Sequence, residues 1–163
     1  MITKRSRSLL ALLGFGAAVA AAAWFGARFS PASPGTKEWY LSLKKPPYNP
    51  PNAVFPIVWP ILYILMTIAA WRTWRQPSSA QRLFILSLWW AQLLANALWT
   101  YLFFGKHNPK QALIDILVME SLILAFIVAA RKLDRAAAIC FVPYAAWVAF
   151  ATLLNSEIVR LNP

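Results

Sequence analysis

Two carboxylates, Asp115 and Glu120, lie inside a long apolar run of this 163-residue chain. Acids buried in a membrane are costly enough to be functional candidates by default, and their chemistry would be proton transfer. Five residues apart on a helix, they point about 140° away from each other and cannot form one dyad. Asp115 stands near the start of its run, where the interface or a helix N-terminus would suit it. Glu120 lies deeper, where a carboxyl must be neutral and hydrogen-bonded or paired with a cation. His107 is the one histidine and Cys140 the one cysteine. Without a second ligand at useful spacing, His107 predicts neither a metal nor a haem site. Cys140 reads as a small buried hydrophobe, with no disulfide or thiolate metal site. Ser-His-Asp sets, Walker loops and glycine-rich dinucleotide turns are missing. No metal and no cofactor is expected.

The nine tryptophans and a few amides carry more information. Gln92, Asn96, Trp99 and Phe103 follow i, i+4, i+7, i+11 and so share one helix face. Unpaired amides facing lipid would cost several kcal/mol, so this face should look inward. Tyr144, Trp147, Ala151 and Leu154 repeat the theme at helical spacing, with the small Ala151 leaving room beside an indole. Trp59, Tyr63 and Met66 do likewise. An interfacial aromatic belt accounts for Trp24, Trp71, Trp74 and one of Trp89 and Trp90; Trp59, Trp99 and Trp147 lie on inward stripes instead. Aromatic walls with a few amides suit a flat, largely apolar ligand, and lysines at the mouth would attract carboxylates. A dicarboxylic porphyrin fits that description, as do other polycyclic compounds. Separately, Ser87, Ala91 and Ala95 form a small-residue stripe of the kind that lets two helices approach closely, here a candidate homodimer seam.

These side chains must be positioned by membrane helices. Apolar residues make up 60% of the chain and charged residues 13%, against about 25% charged in an ordinary soluble domain. That excludes a conventional water-soluble enzyme and also disorder. Five apolar stretches reach the roughly 20 residues that span a bilayer: 9–27, 53–71, 83–104, 111–130 and 136–154. The first is too long for a signal-peptide core of about 7–15 residues, and a retained helix is expected. The formal charge of +11 comes from 16 Lys and Arg that fall almost entirely between these runs. Such cations face anionic headgroups, and no contiguous basic face remains for nucleic acid. Nine of them fall on the N-terminal side and seven on the other, which favours a cytoplasmic N-terminus. The fold expected is an all-α, five-transmembrane-helix bundle forming a single domain. The loop 28–52 is long, stiffened by Pro46, Pro47, Pro50 and Pro51, and suited to act as a lid.

Five fragments in order resemble the TspO/MBR family, the tryptophan-rich sensory proteins related to the mitochondrial translocator protein. They are Trp39-Tyr40-x-x-Leu43-x-Lys45-Pro46 with Pro50-Pro51; Phe55-Pro56-x-x-Trp59-x-x-Leu62-Tyr63; Gln92-x-x-x-Asn96-x-x-Trp99 with Phe103-Phe104-Gly105; Ala112-Leu113-x-Asp115; and Pro143-Tyr144-x-x-Trp147-x-x-x-Ala151-x-x-Leu154-Asn155. The resemblance covers 38–155. It implies a five-helix bundle, commonly a homodimer, in a bacterial cell membrane. It also implies a pocket under the first loop that binds porphyrins and benzodiazepine-type ligands, lined by Trp39, Trp59, Asn96, Trp99, Trp147 and Ala151. Some bacterial members are credited with light- and oxygen-dependent breakdown of protoporphyrin, which would make Trp59 and Trp147 the catalytic candidates. The animal members' sterol motif reads Ser156 at its central aromatic position, a departure that argues against sterol binding. Binding with a sensory or regulatory role is the leading reading, degradation the alternative and transport the second alternative.

Overall fold

A computed structural model describes residues 3–31 and 33–163; residue 32, within the expected loop, and residues 1–2 lie outside the described residues. The chain is all-helical, and no strand occurs among the described residues. The long helices are α1 (Lys4–Ala27), α3 (Phe55–Arg75), α4 (Ala80–Thr100), α5 (Pro109–Ala130) and α6 (Arg135–Leu161), with a short α2 (Thr36–Ser42) in the first loop. Five segments are long and apolar enough to cross a bilayer. At 1.5 Å per residue, the 22 residues of α5 reach about 33 Å, close to the hydrocarbon thickness.

Four of the five long helices start where a polar side chain satisfies one of their first free N–H groups; α3 starts after Val54 without one. Thr3 accepts from the Ser6 N–H, Ser79 from Arg82, Asn108 from Gln111 and Asp134 from Ala137. Pro109 occupies the first position of α5, where its missing N–H costs nothing. The helices outrun the apolar stretches. The most extended is α6, which continues to Leu161 through Asn155, Ser156, Glu157 and Arg160. Charges end a hydropathy window, but a helix emerging into water keeps its own backbone hydrogen bonds, and Arg160 clasps Glu157 across one turn at 2.7 Å.

Around the bundle, neighbours follow the order α1, α3, α6, α5, α4 and back to α1. The centre is filled by Met66, Trp89, Met119, Phe126, Phe141 and Tyr144, all at most 2% exposed. Leu13, Ile57, Leu94 and Ile114 point outward. Apolar side chains therefore cover both the inside and the outer wall, an arrangement stable against lipid and not against water. Of the tryptophans expected in a belt, Trp24 and Trp90 are exposed and Trp71 and Trp74 half-buried. Trp71 donates its indole N–H to Ser8 and is covered by the Arg75 guanidinium. Trp89 is the inward member of its pair: fully buried, it donates to the Met66 carbonyl at 2.9 Å and meets Phe15 edge-on.

The cytoplasm-facing end expected from the charge bias is tied by Asp134, whose side chain is 6% exposed. It accepts from Arg72 Nε at 3.1 Å, Gln76 Nε2 at 2.9 Å and the Ala137 N–H at 3.0 Å, joining α3 to the start of α6. Burial raises its pKa, but the Ala137 N–H and the Arg72 and Gln76 side chains outweigh that and hold it below the usual carboxylate range. A depressed carboxylate pKa lends stability that is present at neutral pH and lost as pH falls through the folded value. Thermal unfolding in detergent should therefore show a melting temperature that drops below about pH 4. In Asp134→Asn the drop should be shallower, from a lower neutral starting point.

Candidate functional site

Three helices meet at one amide, and a fourth is reached through one of its partners. Tyr63 on α3 donates its hydroxyl to Asn96 Oδ1 on α4 at 3.3 Å. Asn96 Nδ2 donates to the Tyr144 oxygen on α6 at 3.1 Å, and that phenol donates to Met119 Sδ on α5 at 3.4 Å. Asn96 is 3% exposed and Tyr144 fully buried, so each polar atom needs the partner it has. The Trp59 ring sits beside this chain, 5.3 Å from the Tyr63 ring and 6.4 Å from that of Tyr144. Met66, one turn along α3, is buried below. The inward face expected of α4 is where the amides are: Gln92 is also fully buried and donates to the Trp89 carbonyl, while its own oxygen has no hydrogen-bond partner among the described residues.

Toward the first loop a second aromatic set begins. Trp99 and Phe103 stack at 5.1 Å and 24°, and Phe103 meets Trp39 of α2 edge-on at 5.6 Å. Trp39 in turn lies nearly parallel to the His107 ring at 4.3 Å. The Trp99 indole donates to Asn155 Oδ1 at 3.1 Å, and Asn155 Nδ2 donates to the Pro109 carbonyl at 2.8 Å. One buried carboxamide thus joins α4, α5 and α6. The spacing that puts Phe103 under Trp39 comes from a π-helical turn, Tyr101–Gly105, closed by the Lys106 N–H on the Tyr101 carbonyl. Glycine at 105 permits this packing: a β-carbon there would come within 2.8 Å of the Phe29 ring and 2.9 Å of the Tyr101 ring, and the rings would have to shift. His107 follows with φ 51°, a left-handed conformation uncommon outside glycine.

The first loop lies over this set. Trp39 and Tyr40 of α2 pack on Phe103 and Phe104, and the Thr36 hydroxyl donates to the Phe104 carbonyl at 3.4 Å. Lys45 folds back to donate to the Tyr40 and Leu43 carbonyls with its ammonium over the Tyr40 ring. Burial pushes the Tyr40 phenol above its usual range, against a hydrogen bond from Asn49, and pushes the Lys45 ammonium below its own.

The remaining sequence-derived residues are distributed differently. Trp147 is half-buried; its ring meets Phe55 at 5.8 Å and Phe150 at 5.9 Å. It borders a groove of about 440 Å³ between α3 and α6, with Val58, Leu62 and Pro143, on the outer side of the bundle. Trp59, Trp99 and Trp147 make no ring contact with one another among the described residues. Ala151 is half-buried and Leu154 buried. Asp115 and Glu120 are half-buried, each with one carboxyl oxygen enclosed and lacking a partner among the described residues. Asp115 borders an outer groove of about 350 Å³ between α4 and α5. Of the small-residue stripe, Ser87 is exposed, Ala91 half-buried and Ala95 buried within its own chain. No metal-binding cluster occurs among the described residues. His107, Asn155 and Phe104 are the contributors that sequence reasoning did not assign to the site. For Asn155 the signal was present: an amide one residue past the Tyr144–Leu154 stripe, just beyond the end of the expected span and inside the longer α6.

The TspO/MBR family model matches residues 15–161. A tryptophan-rich sensory protein of Cereibacter sphaeroides is 43% identical over 150 residues, covering 92% of this chain and 90% of the relative. Protein CrtK of Rhodobacter capsulatus is 39% identical over 90% of this chain and 89% of its own length. The human translocator protein is 33% identical over 92% of this chain and 89% of its own length. With five membrane-spanning helices and a match running through all the segments that build the site, this chain is a multi-pass membrane protein belonging to the TspO/MBR family.

Proposed function

We propose that this protein binds porphyrin-type tetrapyrroles, or similar planar hydrophobic ligands, and acts in sensing or regulating tetrapyrrole or stress responses. The observation that carries the reading is Asn96, a buried amide held between the phenols of Tyr63 and Tyr144 beside the Trp59 ring. Those phenols occupy both ends of the amide. A guest binds by exchanging them for its own polar edge, while its flat face replaces the protein's ring contacts. Trp99, Phe103 and Trp39 form the wall under the loop, Ala151 and Leu154 the wall on α6, and Trp147 the side toward the α3–α6 groove. Exposed Lys37, Lys44, Lys106 and Lys110 supply positive potential for the carboxylates. Titration of protoporphyrin, read by tryptophan quenching, tests this. Saturable binding weakened in both Trp147→Ala and Asn96→Ala supports the reading; unchanged affinity in both overturns it. The absorbance spectrum of the protein as purified would reveal a retained tetrapyrrole directly.

A second reading is light- and oxygen-dependent breakdown of the bound macrocycle. It is favoured by the placing of an oxidisable indole, Trp59, within ring contact of two phenols. Product formation under light that is lost in Trp59→Phe and Trp147→Phe, with binding retained, would support it. We further place the protein in a bacterial cell membrane with its N-terminus in the cytoplasm. A homodimer on the α4 stripe would rest on Ser87 and Ala91, because Ala95 is already covered.

A further inference from the structure

We propose that Asn162 is a positioning residue that latches the first loop shut across the end of α6. The functional consequence rests on the reading that ligands bind beneath this loop; the latch itself does not. The Asn162 carboxamide accepts from the Lys44 N–H at 3.0 Å and donates to the Lys44 carbonyl at 3.0 Å, so one side chain pairs with both polar groups of one residue 118 positions away. A carboxamide suits this pairing because it carries a donor and an acceptor side by side on one planar group. The amide is also fixed from its own side, because Nδ2 donates to the Ile158 carbonyl at 2.8 Å. Asn162 therefore presents a preset receptor to the loop.

The position of Lys44 gives the contact its leverage. It follows directly after Leu43, the residue that caps α2. The other end of α2 is held by the Thr36 hydroxyl on Phe104 and by Trp39 against Phe103 and His107. A helix of seven residues with only Thr36 and Tyr40 buried has little cohesion of its own. Its order depends on being fastened at both ends. One fastener lies on the π-helical turn after α4; the other is Asn162, which caps the end of the helix that carries Tyr144, Trp147, Ala151 and Asn155. Displacement of α6 by a guest would be transmitted to the loop through this pair.

The test uses the full chain in lipid nanodiscs and follows amide hydrogen exchange without ligand. Asn162→Ala should exchange about tenfold faster than wild type across residues 36–45, as expected for two lost hydrogen bonds. Rates in α4 and α5 should not change. Unchanged exchange in 36–45, or equal acceleration through all the helices, overturns the latch. If Asn162→Ala does not accumulate, Asn162→Asp keeps the acceptor for the Lys44 N–H and drops the donor. Because an Asp oxygen would also face the Lys44 and Ile158 carbonyls, it should give at least about a threefold acceleration confined to the same residues, and none there also overturns the proposal. Protoporphyrin then serves as the probe of function: both its association and its dissociation should be faster in the variant, as for an opened gate. Failure of the wild type to bind protoporphyrin would refute the binding reading and leave the exchange result to judge the latch alone.

Discussion

Asn96→Ala should lower protoporphyrin affinity at least tenfold and destabilise the ligand-free bundle by about 2 kcal/mol. The two effects have different origins. Stability falls because the Tyr63 hydroxyl loses its acceptor and Tyr144 loses a donor, in a protein interior where water does not replace them. Tyr144 keeps its bond to Met119, so the larger share belongs to Tyr63. Affinity falls because the guest's polar edge then has nothing to exchange for. A double-mutant cycle separates the contributions. In a Tyr63→Phe background the orphaned hydroxyl is gone, and Asn96→Ala should cost less stability than in the wild type while costing the same affinity. Equal stability losses in both backgrounds would mean that the Tyr63–Asn96 bond contributes nothing.

Trp89→Ala should be more damaging still to the fold, by about 3–5 kcal/mol, the range for deleting a large aromatic from a packed core. The Trp89 ring is completely enclosed and touches Phe15 on α1, and its N–H reaches the Met66 carbonyl on α3. Removing it opens a hole at the junction of three helices. Lipid cannot fill it, and apolar burial gives no help in closing it when the surroundings are hydrocarbon. Trp24→Ala is the control: this ring is 62% exposed, and its loss should cost under about 1 kcal/mol. Unfolding of both variants in mixed micelles, followed by circular dichroism, gives the comparison. Similar losses for the two would return Trp89 to the interfacial belt.

Trp89 and its neighbour Trp90 also mark where sequence reasoning stops. Adjacent residues point about 100° apart on a helix, so the two need not share an environment, and here Trp89 is buried and Trp90 exposed. Both are the same residue type in a run that is apolar on every side, and periodicity has nothing to choose between them. At Asn96 the pattern was decisive, since an amide inside a membrane span must find partners within the protein. Its inward direction was legible from residue type and spacing; the identity of its partners was not, because Tyr63 and Tyr144 lie 33 and 48 residues away. The short helix α2 was hidden for another reason. Its residues have neither the length nor the apolar stripe of an independent helix, and Thr36, Trp39 and Tyr40 are ordered by contacts on a π-helical turn far along the chain.

Composition and the placing of charges by themselves determined that this chain crosses a bilayer five times, and the motif order determined its family. Both follow from local sequence: a bilayer core sorts segments by apolar length, and headgroups sort the cations that flank them. The tertiary structure alone decided that Trp59 joins the Tyr63–Asn96–Tyr144 chain, that Trp147 borders the α3–α6 groove, and that Asn162 holds Lys44. Those pairings depend on which helices are neighbours and how each is rotated. When nearly every face of a helix is apolar, that rotation is set by the few hydrogen bonds between helices and by the fit of their side chains.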